Sequence, residues 1–477
     1  MGLSKRLPIP ARYRPATALA ALGMIALGMY CRANPVTDAL HAINAQICRI
    51  SLAACATHAR LTDPAPVPAL AALADRFSYR ALITPTNPPQ GYGKTLSVGK
   101  GQDFSSISRA VSVAHDGDII AIAPGIYRGE SMIIARNDLT LRGQGGIAII
   151  DATHSPLVQH KAILVTQGRN LLIENIELRG AASPHQNGAA IRAEGPSLEV
   201  RHCFFHDNQA GILVSNRRDA TVLVEYSEFA RNGHRSGQAH QIYAGLIAQL
   251  TLRYNFIHDS LVGSAIKSRA ARSVIEYNFV ADGAAGSANY TVDLANGGNV
   301  SLVGNVLEKA PHAENHTFVS YAPEALAGQN NALVMSHNTL VNDRDDGNFI
   351  NNHSTVVAQV VNNLFIGRAS LVTGGAVQLV GNMVMGNTRY DAHDDDRLDG
   401  APGSGHNQVV ADVSIVDRAQ LDYRLTPASP AIDAATPVGA PSPIWQYRHG
   451  ADRELRSHSG ARADVGAFEF TAPAHSN

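Results

Sequence analysis

Short runs of alternating apolar and polar residues recur along most of the chain. Leu171 begins LLIENIEL, Leu198 LEVRHCFF, Val222 VLVEYSEF, Leu250 LTLRYNFI, Ser273 SVIEYNFV, Val300 VSLVGNVL, Leu333 LVMSHNTL, Ala358 AQVVNNLF and Val377 VQLVGNMV. Successive starts lie 27, 24, 28, 23, 27, 33, 25 and 19 residues apart. A period of two puts alternate side chains on opposite faces of a strand. Recurrence every ~26 residues is the mark of a solenoid, in which each repeat buries its apolar face against the next. Helical solenoids would need longer apolar stripes at a 3.6 period, which these runs lack.

Aligned on their sixth position, the runs from Leu198 onward place Cys203, Ser227, Asn255, Asn278, Asn305, Asn338, Asn363 and Asn382 in one column. Stacked coils sit about 4.8 Å apart. At that spacing, side-chain amides can bond to one another and satisfy turn backbone groups that would otherwise be buried unpaired. A second strand recurs between the runs: GAAIRAEG from Gly188, AGILVSNR from Ala210, HQIYAG from His240, GSAIKSRA from Gly263, NYTVDLANG from Asn289, HTFVSYAP from His316 and GNFINNHS from Gly347. Upstream, Phe104, Ile107, Ala110, Val111 and Ala114 have helical spacing within Gln102–Ala114 and predict a short helix capping the β core.

Composition narrows the function. The 39 Lys and Arg against 40 Asp and Glu give a net charge of −1, which removes the basic footprint of a nucleic-acid binder. Lys5, Arg6, Arg12 and Arg14 precede an apolar run from Ala16 to Tyr30, the layout of a secretory h-region. The expected organisation is a signal peptide or N-terminal anchor over 1–33, an Ala/Pro-rich leader and linker over 34–93, the repeats over 94–470 and a tail over 471–477. A secreted, periplasmic or cell-envelope location follows, with membrane attachment through the N-terminus as the alternative. Cys48 and Cys55 are close enough in sequence to pair in an oxidising compartment. Cys203 is read as filling a core slot.

Together these features predict an all-β fold, a right-handed parallel β-helix (solenoid) with a short N-terminal capping helix. The repeats resemble those of the pectate-lyase-like superfamily over roughly residues 94–470. LDYRLTPASPAIDAA from Leu421 and ADVGAFEF from Ala463 resemble the closing motif of many secreted bacterial β-helix proteins.

The second strand also registers candidate chemistry. Ile212, Ile242, Ile266 and Val292 serve as inward anchors. The next positions then hold Leu213, Tyr243, Lys267 and Asp293, with His240 and Tyr290 two residues before their anchors, and Arg269 and Asn296 just after. His240, Tyr243, Lys267, Arg269, Tyr290, Asp293 and Asn296 should therefore share one outer patch, with His316 one coil beyond.

Such a patch suits β-elimination on a uronic-acid polysaccharide. That reaction needs a base for the proton beside the carboxylate, a cation to neutralise the carboxylate, and an acid for the departing oxygen. Lys267 is the expected base, its pKa lowered by Arg269. Arg269 or calcium holds the carboxylate, and Tyr243, Tyr290 or His240 supplies the acid. SAIKSRAARSVIEYNF is similar to the IKS-type coil of β-helix alginate and chondroitin lyases, and that resemblance implies a catalytic role for Lys267. On the following coil those families carry an arginine, where this chain has Tyr-Thr-Val-Asp at 290–293.

Calcium is the candidate cofactor; the acidic run Asp394–Asp396 offers it further carboxylates, although a solvated loop is the favoured reading of that run. The alternatives are a glycoside hydrolase, a C5-epimerase, or a non-catalytic surface protein that binds glycan. A hydrolase would need two or three carboxylates on one cleft, and the alignment supplies only Asp293.

Overall fold

The computed structural model describes residues 93–471, apart from 236–238, 284–285, 327, 329, 387–405, 438–441 and 459. The expected leader, the Cys48–Cys55 pair and the run Asp394–Asp396 lie outside the described residues. Among the described residues no helix is long and apolar enough to cross a membrane.

The chain winds through about eleven turns of a parallel solenoid. Three long sheets form its walls, of 12, 12 and 10 strands. Each coil contributes one strand to each wall, for example Ser197–Arg201 in sheet 1, Phe204–His206 in sheet 2 and Ala210–Val214 in sheet 3. Each repeating run is thus two strands with a tight turn between them. The runs stack in the register that their alternation implies. Leu198 pairs with Leu171 and Val222, Val222 with Leu250, Leu250 with Ser273, Ser273 with Val300, and Val300 with Leu333. Inward residues such as Val200, Phe205, Ile212 and Leu252 are fully buried in one core running the length of the coils.

The turn between sheets 1 and 2 explains the asparagine column. The residue before each column member has positive φ: His202 49°, Tyr226 50°, Tyr254 58°, Tyr277 56°, Gly304 65°, His337 51°. A left-handed residue followed by an inward amide lets the chain turn within two residues, at a steric cost for each non-glycine. The amides offset it. Asn255, Asn278, Asn305, Asn338 and Asn363 each accept from the backbone N–H of the column residue one coil earlier, at 2.9–3.1 Å. Asn407 extends the ladder one rung beyond Asn382. Cys203 occupies its rung as a buried thiol, its pKa pushed up to about 12 by burial.

The capping helix runs from Ile107 to Val113, shorter than the spacing suggested. Phe104 is drawn instead into a bridge with Val98. Ser106 caps the helix, and the Glu130 carboxylate accepts from the Ile107 and Ser108 N–H groups.

The parallel sheets end at Val410. Two antiparallel hairpins follow, Ile415–Asp417 with Asp422–Leu425 and Trp445–Arg448 with Asp452–Leu455. They lie against the outside of sheet 2 and its turn. Tyr423 and Tyr447 pack on Phe279, with ring centroids 6.0 and 5.4 Å away. Arg453 covers the Tyr254 ring, which belongs to a stacked column His202–Tyr226–Tyr254–Tyr277. The returning segment thereby covers much of one wall.

Under that segment His258 is buried between Glu228 and Asp259, at 3.0 and 2.9 Å. Burial opposes its charge, but the two carboxylates outweigh burial and push its pKa up to about 9. A raised histidine pKa contributes stability that is full below the unfolded value near 6.5 and lost as pH rises through about 9. The wild-type protein is therefore expected to lose on the order of 3 kcal/mol between pH 6 and pH 10 that a His258→Gln variant does not. Urea midpoints of both proteins across that range check this; parallel pH profiles would refute it.

Candidate functional site on the third sheet

Sheet 3 stacks in the register expected for the second strand. Ile212, Ile242, Ile266 and Val292 pair in order, and Leu213, Tyr243, Lys267 and Asp293 follow one residue on. The outward row continues from Arg192 through Leu213, Tyr243, Lys267, Asp293, Ser320 and Asn351 to Thr373. Seven inter-strand steps make that strip about 34 Å long.

Six of the expected site residues gather in two contact groups on this face, which Glu324 links into one network. Lys267 Nζ lies 2.8 Å from Asp293 Oδ2. Arg269 Nε donates to the Tyr243 hydroxyl at 3.0 Å, and Arg269 Nη1 donates to Asn296 Oδ1 at 2.8 Å. His240 stacks on Tyr243 with centroids 5.7 Å apart. Tyr290 is half-buried and precedes the strand, its backbone carbonyl accepting from the Ala265 N–H; this registers it with Ser264, three residues before Lys267, and does not bring it to the network. His316 is exposed, and among the described residues no hydrogen bond links its side chain to the network.

The residue that sequence reasoning missed is Glu324. It follows the strand Thr317–Tyr321, in a loop docked on the preceding coil through Glu324 N–H to Ala295 O at 3.0 Å. Its carboxylate is 45% exposed and reaches back over the patch. It accepts from Arg269 Nη2 at 2.8 Å, contacts Arg269 Nη1, and lies 3.3 Å from Lys267 Nζ.

These contacts change the expected electrostatics in two places. Burial disfavours the Lys267 charge, but the hydrogen bond and charge of Asp293, reinforced by Glu324, outweigh it and raise the pKa. Arg269 therefore does not leave Lys267 as a neutral base: the lysine keeps its proton and acts as a cation. Burial, with Lys267 and Arg269 nearby, pushes the His240 pKa down to about 4. The Ser264 N–H donates to His240 Nδ1 at 2.9 Å, which places the ring proton on Nε2. At neutral pH His240 is thus a neutral hydrogen-bond donor that braces Tyr243, rather than the acid expected.

Asp293 is only 3% exposed, and its Oδ1 has no hydrogen-bond partner. Burial raises its pKa against the pull of Lys267. Among the described residues no group of three or more His, Cys, Asp or Glu gathers to hold a metal ion. The two carboxylates nearest the patch are already engaged by Lys267 and Arg269. The patch does not fit calcium.

Residues 124–307 match the family model described as a right-handed beta helix region. The chain is a right-handed parallel β-helix protein. No curated protein matches it in sequence. Among solved structures, this β-helix is similar to that of pectate lyase Pel9A, at 15% identity over 80% of this chain and 97% of that one, with a TM-score of 0.48. It is also similar to alginate lyase from Paenibacillus sp. str. FPU-7, at 15% identity, 62% and 99% coverage and a TM-score of 0.39. Pectin methylesterase from carrot matches at 14% identity, 69% and 91% coverage and a TM-score of 0.30.

Proposed function

We propose that this β-helix protein is a polysaccharide lyase, cleaving an anionic, uronic-acid-containing polysaccharide by β-elimination on the outer face of sheet 3. The observation that carries this reading is the grouping of two cations, Lys267 and Arg269, with the Tyr243 hydroxyl on the outer face of sheet 3. Lys267 and Arg269 neutralise the uronate carboxylate, which makes the adjacent C–H acidic. Tyr243 lies beside Lys267 on the preceding coil, its hydroxyl held by Arg269 Nε. It takes the proton from the ring carbon and passes it to the glycosidic oxygen as the bond from that oxygen to carbon breaks and the ring double bond forms. Asn296 and His240 hold Arg269 and Tyr243 in place. The protein is secreted or held at the cell envelope, where such a polymer is met.

A hydrolase gains one observation in its favour, since Glu324 supplies a second carboxylate within reach of Lys267. Asp293, however, is buried beneath the lysine and cannot approach a sugar, so elimination fits the patch better.

Purified protein incubated with a panel of polyuronates is expected to release an unsaturated product absorbing in the ultraviolet. Tyr243→Phe and Arg269→Ala should each lower kcat/KM by about 10²–10⁴ while the circular dichroism spectrum is retained. Absence of product from every polyuronate by a folded protein would overturn the reading. Full activity in Arg269→Ala would remove the patch from it.

A further inference from the structure

We infer that Glu324 is a built-in stand-in for the substrate carboxylate, occupying the cation pair until an acidic sugar displaces it. The inference rests on the lyase reading for the identity of the displacing group, but the geometry behind it is independent. Glu324 meets Arg269 through both of its carboxylate oxygens and also reaches Lys267. That two-pronged contact is the geometry a guanidinium offers any carboxylate, including one on a sugar ring. Asp293 differs: it lies beneath Lys267, is almost inaccessible, and stays as the permanent counter-charge.

The backbone at Ala322 and Glu324 is tied to the preceding coil, whereas the Glu324 carboxylate is 45% exposed. Ala322 N–H and Glu324 N–H donate to Leu294 O and Ala295 O. A Cβ added at Gly297 would lie 2.7 Å from Leu326 Cδ2, so the loop seats closely on the preceding turn. The exposed carboxylate can therefore swing out to solvent by side-chain rotation alone, with no loop opening. Losing the Arg269 contact costs little when another carboxylate takes it over. A neutral sugar brings no replacement, and Glu324 then keeps the cations. Glu324 is in this way a specificity-determining residue. It imposes a threshold that only a carboxylate-bearing polymer crosses, and the threshold falls as salt screens the exposed ion pair.

The test is calorimetric binding of hexameric oligogalacturonate and oligomannuronate, with cellohexaose as the neutral control, to the wild type and to Glu324→Gln. Glutamine keeps the side-chain size and removes the competing charge. Glu324→Gln is expected to bind at least one acidic oligomer about five- to thirty-fold more tightly than the wild type. Cellohexaose affinity should stay unchanged. Equal or weaker binding of both acidic oligomers by Glu324→Gln overturns the inference, as does equal tightening for cellohexaose. No binding of either acidic oligomer to either protein also overturns it. Tighter acidic binding without any ultraviolet-absorbing product leaves the stand-in role established and the lyase reading refuted. Product formation without tighter binding does the reverse.

Discussion

Asn305→Ala is expected to lower the unfolding free energy by about 2–5 kcal/mol, seen as a shift in urea midpoint. The residue is fully buried at the middle of the ladder. Its Oδ1 accepts from the Asn278 N–H and from Asn278 Nδ2, both at 3.0 Å. Its Nδ2 donates to Ile275 O at 2.8 Å and to Asn338 Oδ1 at 2.9 Å. All four bonding positions of the amide are thus filled. Alanine leaves a backbone N–H and a backbone carbonyl unpaired in a dry turn, and each such orphan costs about 1–3 kcal/mol. Serine should cost less. Ser227 already holds a rung, accepting from Cys203 N–H at 3.2 Å and donating to Glu225 O at 2.9 Å. If Asn305→Ala matched the wild type in midpoint, the ladder would not be a source of stability.

Arg456→Met is expected to unfasten the closing motif of the C-terminal segment, at a cost of about 3–5 kcal/mol. The arginine side chain is completely buried. Nε donates to Glu469 Oε2 at 2.9 Å, Nη1 to Gly466 O at 2.8 Å and Nη2 to Asp464 O at 2.8 Å. These partners all belong to ADVGAFEF, so the motif closes around one guanidinium. Gly466 is required where it stands, with φ of 97° and an added Cβ only 2.8 Å from Thr339 Oγ1. Removing the arginine leaves the Glu469 carboxylate, in a site 2% exposed, with only the Asp464 N–H and the half-exposed His458 ring beside it. The double variant Arg456→Met, Glu469→Leu should recover much of the loss, because an apolar pair of similar volume needs no desolvation. Limited proteolysis between residues 411 and 471, together with thermal unfolding, measures both effects. A single variant as resistant as the wild type, or a double variant no better than the single, would refute the coupling.

The register of the candidate patch was legible because side chains in a parallel solenoid repeat at a fixed place in each coil. Once Ile242, Ile266 and Val292 are recognised as inward anchors, Tyr243, Lys267 and Asp293 must lie one above the next. Glu324 was not legible in this way. It stands in a loop, and loops differ in length from coil to coil, so no column contains it. The one signal was the longest interval, 33 residues between Val300 and Leu333, which marks extra chain in that coil. Protonation was equally hidden. The pKa of Lys267 depends on which charges lie within a few ångströms, and Glu324 reaches it across 57 positions of sequence.

The sequence by itself determined the architecture. Period-two alternation, a recurring two-residue turn and a column of amides are local rules repeated coil after coil, and each coil contacts only its neighbours. Only the tertiary structure decided what covers what. The C-terminal hairpins fold back over the His202–Tyr277 aromatic column and the wall beside it, while Tyr243, Lys267 and Arg269 on sheet 3 stay partly exposed. It also decided that Lys267 holds its proton and that Glu324 sits on Arg269. Those outcomes depend on contacts between residues without a common period, which alternation along the chain does not encode.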